Sequence, residues 1–179
     1  MNQRIIAVAG VSGVGKSTFI KQLSDEFLIQ HLQASFLIKE GARLRDIKGL
    51  EQDALRGLDI DENQALLIYG FKHHKDEAAV IVLDCHTVID SPNGFVSISP
   101  VIFKEIGVSH MIFLTDSPEA IAARRNIDQS RARPKRSVAE IDKYQFESFM
   151  HGYKITQEIG VPFTVCKLGC AKSLKNFFT

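Results

Sequence analysis

With 179 residues, 45% of them hydrophobic and 24% charged, the chain has the size and composition of one globular domain, which excludes a disordered or collagen-like protein. Lys and Arg total 22 against 21 Asp and Glu, a formal net charge of +1, so a global basic surface for nucleic acid or an anionic membrane is not indicated and any basic site must be local. No apolar run approaches the roughly 20 residues that span a bilayer, and the start Met1-Asn2-Gln3-Arg4 leads into an apolar stretch without the small-residue cleavage site of a signal peptide. The three cysteines cannot all pair, and a reduced, cytoplasmic protein is the expectation. Cys166 and Cys170 lack the second ligand pair that a zinc site needs.

Along the chain, strands and helices alternate. Ile5 to Ala9 is continuously apolar and stops at Gly10, the pattern of a buried parallel strand. Phe19, Ile20, Leu23 and Phe27 then recur at helical spacing. Ala34 to Ile38 reads as a second strand, and the charged stretch from Glu40 to His74 as short helices, with Leu66, Leu67 and Gly70 on one face of the last. Val80 to Asp84 is a third buried strand, followed by turn residues Ser91-Pro-Asn-Gly94. Val108 to Leu114 is a fourth. Ser117 and Pro118 open a helix, Ser137 and Glu140 have capping-box spacing at the start of a long one, and Gly160 with Pro162 stops it. Pro162 to Leu168 is the last strand, before a short C-terminal helix. Five strands alternating with helices predict a three-layer α/β domain, residues 1–179, with helices on both faces of a parallel sheet.

The strongest motif is Gly10-Val-Ser-Gly-Val-Gly-Lys16-Ser17, which fits G-x-x-x-x-G-K-[ST] between a predicted strand and a predicted helix. Glycines at 10, 13 and 15 let the backbone curl so that N–H groups converge on phosphate oxygens, and the following helix adds its positive dipole end. Gly10, Ser12, Gly13, Val14, Gly15, Lys16, Ser17 and Thr18 are the expected ATP-binding set. Lys16 would meet the β- and γ-phosphates, and the Ser17 hydroxyl would ligate Mg²⁺. Asp84, ending an apolar strand, is the second expected metal ligand, against the alternative of a strand-end turn residue. The residue after it is Cys85, where many ATPases carry a water-activating glutamate. No N-K-x-D sequence supports guanine selectivity.

The segment 129–137 packs Arg131, Arg133, Lys135 and Arg136 around Pro134. Alone it reads as a solvated loop or a nucleic-acid patch; beside a phosphate loop it reads as a short lid that closes over phosphates and excludes water. These features favour phosphoryl transfer to a small acceptor over hydrolysis.

From Asp84 onward the chain resembles the archaeal-type adenylate kinases. The matching stretches are Asp84-Cys-His86-Thr-Val-Ile-Asp-Ser-Pro-Asn-Gly94, Ala123-Arg124-Arg125-Asn-Ile-Asp128-Gln-Ser-Arg131-Ala-Arg133 and Ile141-Asp-Lys-Tyr-Gln145, together with the phosphate loop. The resemblance implies a P-loop NTPase fold with a short lid, Mg-ATP as donor, and AMP or a similar monophosphate as acceptor. It implies catalytic roles for Lys16, Arg124, Arg125, Arg131 and Arg133. Asp53-Ala-Leu-Arg56, inside an acceptor-binding helical region over 39–75, resembles the family's D-x-x-R and makes Arg56 a candidate for the acceptor phosphate. His86 is a second candidate, for a phosphate or the metal's water shell, with a structural hydrogen bonder as the alternative. The family resemblance also suggests a homo-oligomer, such as a trimer. The chain departs from the family at Cys85, Ser91 and Tyr144, and over Phe95-Val-Ser-Ile-Ser-Pro100, which bears on acceptor-base identity.

The residues also admit plainer readings. Arg124 and Asp128, four apart, fit a helix-surface ion pair. Tyr144, Phe149 and Tyr153 read as core, and His73-His74 as exposed polarity. A kinase for another small acceptor, or a slow ATP-hydrolysing, RNA-associated nucleotide binder, are the alternative functions.

Overall fold

The computed structural model describes residues 3–45, 60–77, 80–91, 94–128 and 134–178. Five parallel strands form the central sheet in the order β2-β3-β1-β6-β7: β1 (Arg4–Ala9), β2 (Gln30–Gln33), β3 (Val80–Asp84), β6 (His110–Thr115) and β7 (Phe163–Lys167). A separate antiparallel hairpin joins β4 (Val88–Ser91) to β5 (Gly94–Ser97), with Ser91 opposite Gly94. The helices are α1 (Lys16–Glu26), α2 (Ala34–Leu44), α3 (Ile60–His74), α4 (Pro100–Ile106), α5 (Pro118–Ile127) and α6 (Val138–Ile159), and a 3₁₀ helix covers Ala171–Phe177.

Because both faces of a parallel sheet are covered, β1 and β3 are apolar on both sides. Ile6 and Val8 of β1 join Phe19, Ile20 and Leu23 of α1 and Ile121 of α5 in one core layer. Ile5, Ala7 and Ala9 face the other way, onto Leu37 of α2, Phe71 of α3 and Phe103 of α4. The 22-residue α6 serves both layers, with Ile141 and Tyr144 in the first and Ile155 in the second. Ser117 and Ser137 cap α5 and α6 as their sequence signals predict, the latter in a full capping box, and Gly160 ends α6 at φ 71°.

Helices α2 and α3 touch main chain to main chain. A Cβ on Gly41 would lie 2.2 Å from the Leu66 carbonyl oxygen, and one on Gly70 would lie 2.1 Å from that of Leu37. Only hydrogen fits at either position.

Three expectations are corrected. Ala34 to Ile38 is the first part of α2, and the second strand lies just before it at Gln30–Gln33. A short, mostly apolar run does not distinguish a buried strand from a helix start; here Leu37, Gly41 and Ala42 are the buried positions, a helical spacing. Tyr144 is core, with 1% of its surface exposed, and Phe149 is partly buried, but Tyr153 is 46% exposed. Cys166 and Cys170, read separately in the sequence, stand with their sulfurs in contact, because the turn at Leu168-Gly169 doubles the chain back and leaves their Cα atoms 6.2 Å apart; Cys85 is buried and stands apart from them. Among the described residues no helix is long and apolar enough to cross a membrane.

Candidate active site

The functional residues gather at the carboxyl ends of β1 and β3, where the strand order reverses around the central β1. After Ala9 the chain turns through Gly13 at φ 88° and Gly15 at φ 104°, a backbone region that disfavours any side chain. Gly15 is the N-cap of α1, and no side chain caps that end. The first-turn N–H groups are therefore left for a ligand, at the positive end of the helix dipole. Ser17 and Thr18 are exposed on this turn, and Ser12 is half-buried in the loop. Gly10 and Val14 pack against the core, and the Val14 N–H donates to the Val11 carbonyl at 3.2 Å. Lys16 is buried and folds back, donating to the Gly10 carbonyl at 2.9 Å.

Asp84 ends β3 directly beside the loop, since its register partner on β1 is Val8. One carboxylate oxygen stands 3.9 Å from Lys16 Nζ and the other 3.9 Å from His31 Nε2. Those separations exceed hydrogen-bond length. An exposed hydroxyl on Ser17 and a buried carboxylate on Asp84 form a hard-oxygen donor set, which suits Mg²⁺ with retained water. Cys85 is fully turned into the protein. Burial first, and then the adjacent Asp84 charge, push its thiol up to about 12, partly offset by Lys16. It stays a neutral thiol and cannot act as a base on water. His86 is half-buried and lines a pocket of about 70 Å³ with Cys85, Ile38, Leu67, Ile98 and Phe103, between α2, α3 and α4.

The two adjacent arginines of α5 diverge. Arg124 Nη1 donates to the Gly13 carbonyl at 2.9 Å and the Val14 carbonyl at 3.2 Å, while Nη2 pairs with Asp116. The Arg124 bond holds the Asp116 carboxyl below its ordinary range. Gln145 of α6 grips the Asp116 main chain at both ends, donating to its carbonyl at 2.9 Å and accepting from its N–H at 3.1 Å. The helix-surface pairing of Arg124 with Asp128 thus gives way to a brace running from α6 through Asp116 to the phosphate loop. Arg125 instead lies over Gly13, where a Cβ would come within 2.7 Å of its Cγ, and its guanidinium pairs with Asp90 at 2.9 Å. Arg136, at the root of the expected lid, pairs with the same carboxylate at 2.9 Å.

Lys16, Ser17, Asp84, Arg124 and Arg125 are brought together as the sequence suggests. Arg56, Arg131 and Arg133 lie outside the described residues, as does most of the expected lid. His31 and Asp116 are site neighbours that the motifs do not single out; Asp90 stands in a matching stretch and Arg136 in the basic segment, but no motif gives either a role of its own. Gln145 stands in a matching stretch, but its grip on Asp116 becomes visible only with α6 packed against the end of β6.

An AAA domain family profile matches residues 9–142. The chain is 30% identical over 145 residues to an adenylate kinase of Thermoplasma acidophilum, covering 77% of this chain and 75% of that one. It is 23% identical over 154 residues to an adenylate kinase of Methanococcus vannielii, covering 82% and 80%. Among solved structures, a sugar kinase from a Janibacter species superposes with a TM-score of 0.54 at 18% identity, over 98% of this chain and 91% of that one. A shikimate kinase from Bacteroides thetaiotaomicron gives 0.53 at 14% identity, over 98% and 94%. At those identities the two structures attest the fold alone, a P-loop NTPase fold. The sequence comparisons go further: the chain belongs to the AAA domain family whose profile it matches and to the archaeal-type adenylate kinases, and it is an ATP-dependent phosphotransferase.

Proposed function

We propose that this nucleoside monophosphate kinase transfers the γ-phosphoryl group of Mg-ATP to AMP. The observation that carries the reading is the placement of Asp84 and the two residues after it. Asp84 faces Lys16 and the phosphate loop, while Cys85 and His86 line the apolar pocket walled by α2, α3 and α4. Donor phosphates and an acceptor base can therefore lie on either side of one strand end, with the acceptor phosphate between them.

In this arrangement an AMP phosphate oxygen attacks the γ-phosphorus in line, the bond to the β–γ bridging oxygen breaks, and two ADP result. The attacking oxygen carries no proton to remove, so positioning and charge screening suffice without a general base. That agrees with a neutral Cys85 after the strand-end carboxylate. Lys16 and the first-turn N–H groups of α1 hold the donor phosphates. Ser17 and Asp84 would hold Mg²⁺, which neutralises charge on the β- and γ-oxygens. Arg131 and Arg133 close from the lid, and Arg56 and His86 are proposed to meet the acceptor.

ATP consumption measured with Mg²⁺ alone and with each nucleoside monophosphate tests this. A slow basal rate that rises steeply with AMP is expected, with two ADP per event. Equal rates throughout would favour the slow ATPase. Stimulation by a different monophosphate would keep the chemistry and reject AMP. The stretch from Phe95 to Pro100 is where that alternative draws support: it departs from the family pattern and contributes Ile98 to the pocket wall.

A further inference from the structure

Asp90 belongs to no motif of the phosphate loop or the lid, yet four elements converge on it. It sits on β4 opposite Phe95 of β5. Its side chain is 4% exposed and accepts from two arginines. Oδ2 takes Arg125 Nη2 at 2.9 Å, and Oδ1 takes Arg136 Nη2 at 2.9 Å and Nε at 3.2 Å. Arg136 also lies over the Phe95 ring, 5.6 Å from its centroid, and Phe95 stacks on Tyr144 of α6. Tyr144 in turn donates to the Val88 carbonyl at 3.0 Å and so pins β4 from behind.

Arg125 is the informative partner. Its side chain is 6% exposed. Nη2 is occupied, donating to Asp90 and to the Pro134 carbonyl at 3.0 Å. Nη1 is buried and has no partner among the described residues. A cationic N–H edge left unpaired in a buried position is costly, and native structures rarely keep one without a use. The stem of this arginine rests on Gly13 of the phosphate loop, and the guanidinium continues from there to Asp90 and the Pro134 carbonyl. Two cations share this buried carboxylate, and Arg136 has a second partner in Glu140 at 3.4 Å.

We propose that Asp90 is a positioning residue for phosphoryl transfer: by holding the Nη2 edge of Arg125 it fixes the guanidinium plane, and with it the unpaired Nη1 edge that a nucleotide phosphate would satisfy, and by holding Arg136 it ties the segment leading into α6 to the β4–β5 hairpin. The planar guanidinium makes this division possible, because its donors lie in a rigid fork. A grip on one edge sets the direction of the other. An arm oriented before the substrate arrives costs no reorganisation in the transition state. The proposal rests on the reading that Arg125 contacts phosphate, and the test separates the two.

Steady-state kinetics of Asp90→Asn, Asp90→Glu and Arg125→Gln, with the double variant Asp90→Asn/Arg125→Gln, provide that test, each protein first checked for a cooperative melt. Asp90→Asn removes the charge at nearly constant shape and should lower kcat by about 10–100-fold, the scale of a 1 Å misplacement, with a much smaller change in the KM for ATP. Asp90→Glu keeps the charge, displaces the grip by one methylene and should also lower kcat. The double variant should be no slower than Arg125→Gln alone, since both changes disable one arm. Unaltered kcat in folded Asp90→Asn, or losses that simply multiply in the double variant, would overturn the positioning role. If Asp90→Asn does not fold, unaltered kcat in Asp90→Glu does the same. Wild-type kcat in Arg125→Gln would instead remove the phosphate contact of Arg125, and the proposal with it.

Discussion

The two sides of the site are built differently. On the donor side proposed above the surface is mostly main chain, a glycine loop and the amino end of α1, joined by one side chain, Lys16, folded onto the Gly10 carbonyl. On the acceptor side proposed above it is side chain: Ile38, Leu67, Ile98 and Phe103, carried by α2, α3, the β5–α4 connection and α4. A backbone cradle does not depend on the neighbouring side chains, and the fold that carries it here is shared with a sugar kinase and a shikimate kinase. On the proposed reading, acceptor choice rests on side chains that can drift without disturbing the loop.

That division predicts a gradient of effects. Lys16→Ala should abolish transfer in a correctly folded protein, a loss of at least about 10²–10³-fold, because a buried cation aimed at transferring phosphate has no substitute; a phosphoryl-transfer assay with a circular dichroism control checks it. Arg131→Ala and Arg133→Ala should each cost on the order of 10²–10³ in kcat while ATP binding changes little, as for contacts made mainly in the transition state. Intact kcat in both would sink the lid. Ile98→Ala should move the KM for the monophosphate by about tenfold, the scale of a few methylenes in an apolar pocket, and leave the KM for ATP alone. A change in both constants would blur the donor–acceptor division.

Smaller effects lie away from the chemistry. Gly41→Ala forces a methyl group onto the Leu66 carbonyl and should lower unfolding free energy by about 1–3 kcal/mol, the usual cost of overpacking, read from denaturant midpoints. Cys85 should be nearly silent towards thiol reagents in the native state. Its thiol is pushed up to about 12, so the reactive thiolate is scarce at pH 8 and should increase about tenfold per pH unit on the way to that value. Fast labelling at pH 8 before unfolding would show that the residue beside Asp84 is open to solvent.

What was legible in the chain follows the range of the forces. The buried strands β1, β3 and β6, the caps at Ser117 and Ser137 and the stop at Gly160 are written in a few consecutive residues, and each stands where its pattern puts it. The phosphate loop is equally local. β2 escaped because Gln30–Gln33 buries only Leu32 at the sheet edge, so no alternation advertises it. The pairings around the loop escaped for a different reason. His31 meets Asp84 through strand pairing, Gln145 reaches Asp116 across 29 residues, and Asp90 meets Arg125 across 35 and Arg136 across 46. Such contacts depend on how the hairpin and α6 dock against α5, which no short motif encodes.

The Arg124 bonds to the Gly13 and Val14 carbonyls also govern which way those peptide planes can turn. Glycine-rich loops rotate peptide groups at little steric cost, and one rotation would swing a carbonyl dipole into the space where an anion must sit. With Arg124 anchored through Asp116 and Gln145, such a rotation would break charge-assisted bonds. The Gly13 and Val14 peptide planes are thus held in one sense, and on the proposed reading nucleotide entry need not wait for a peptide flip.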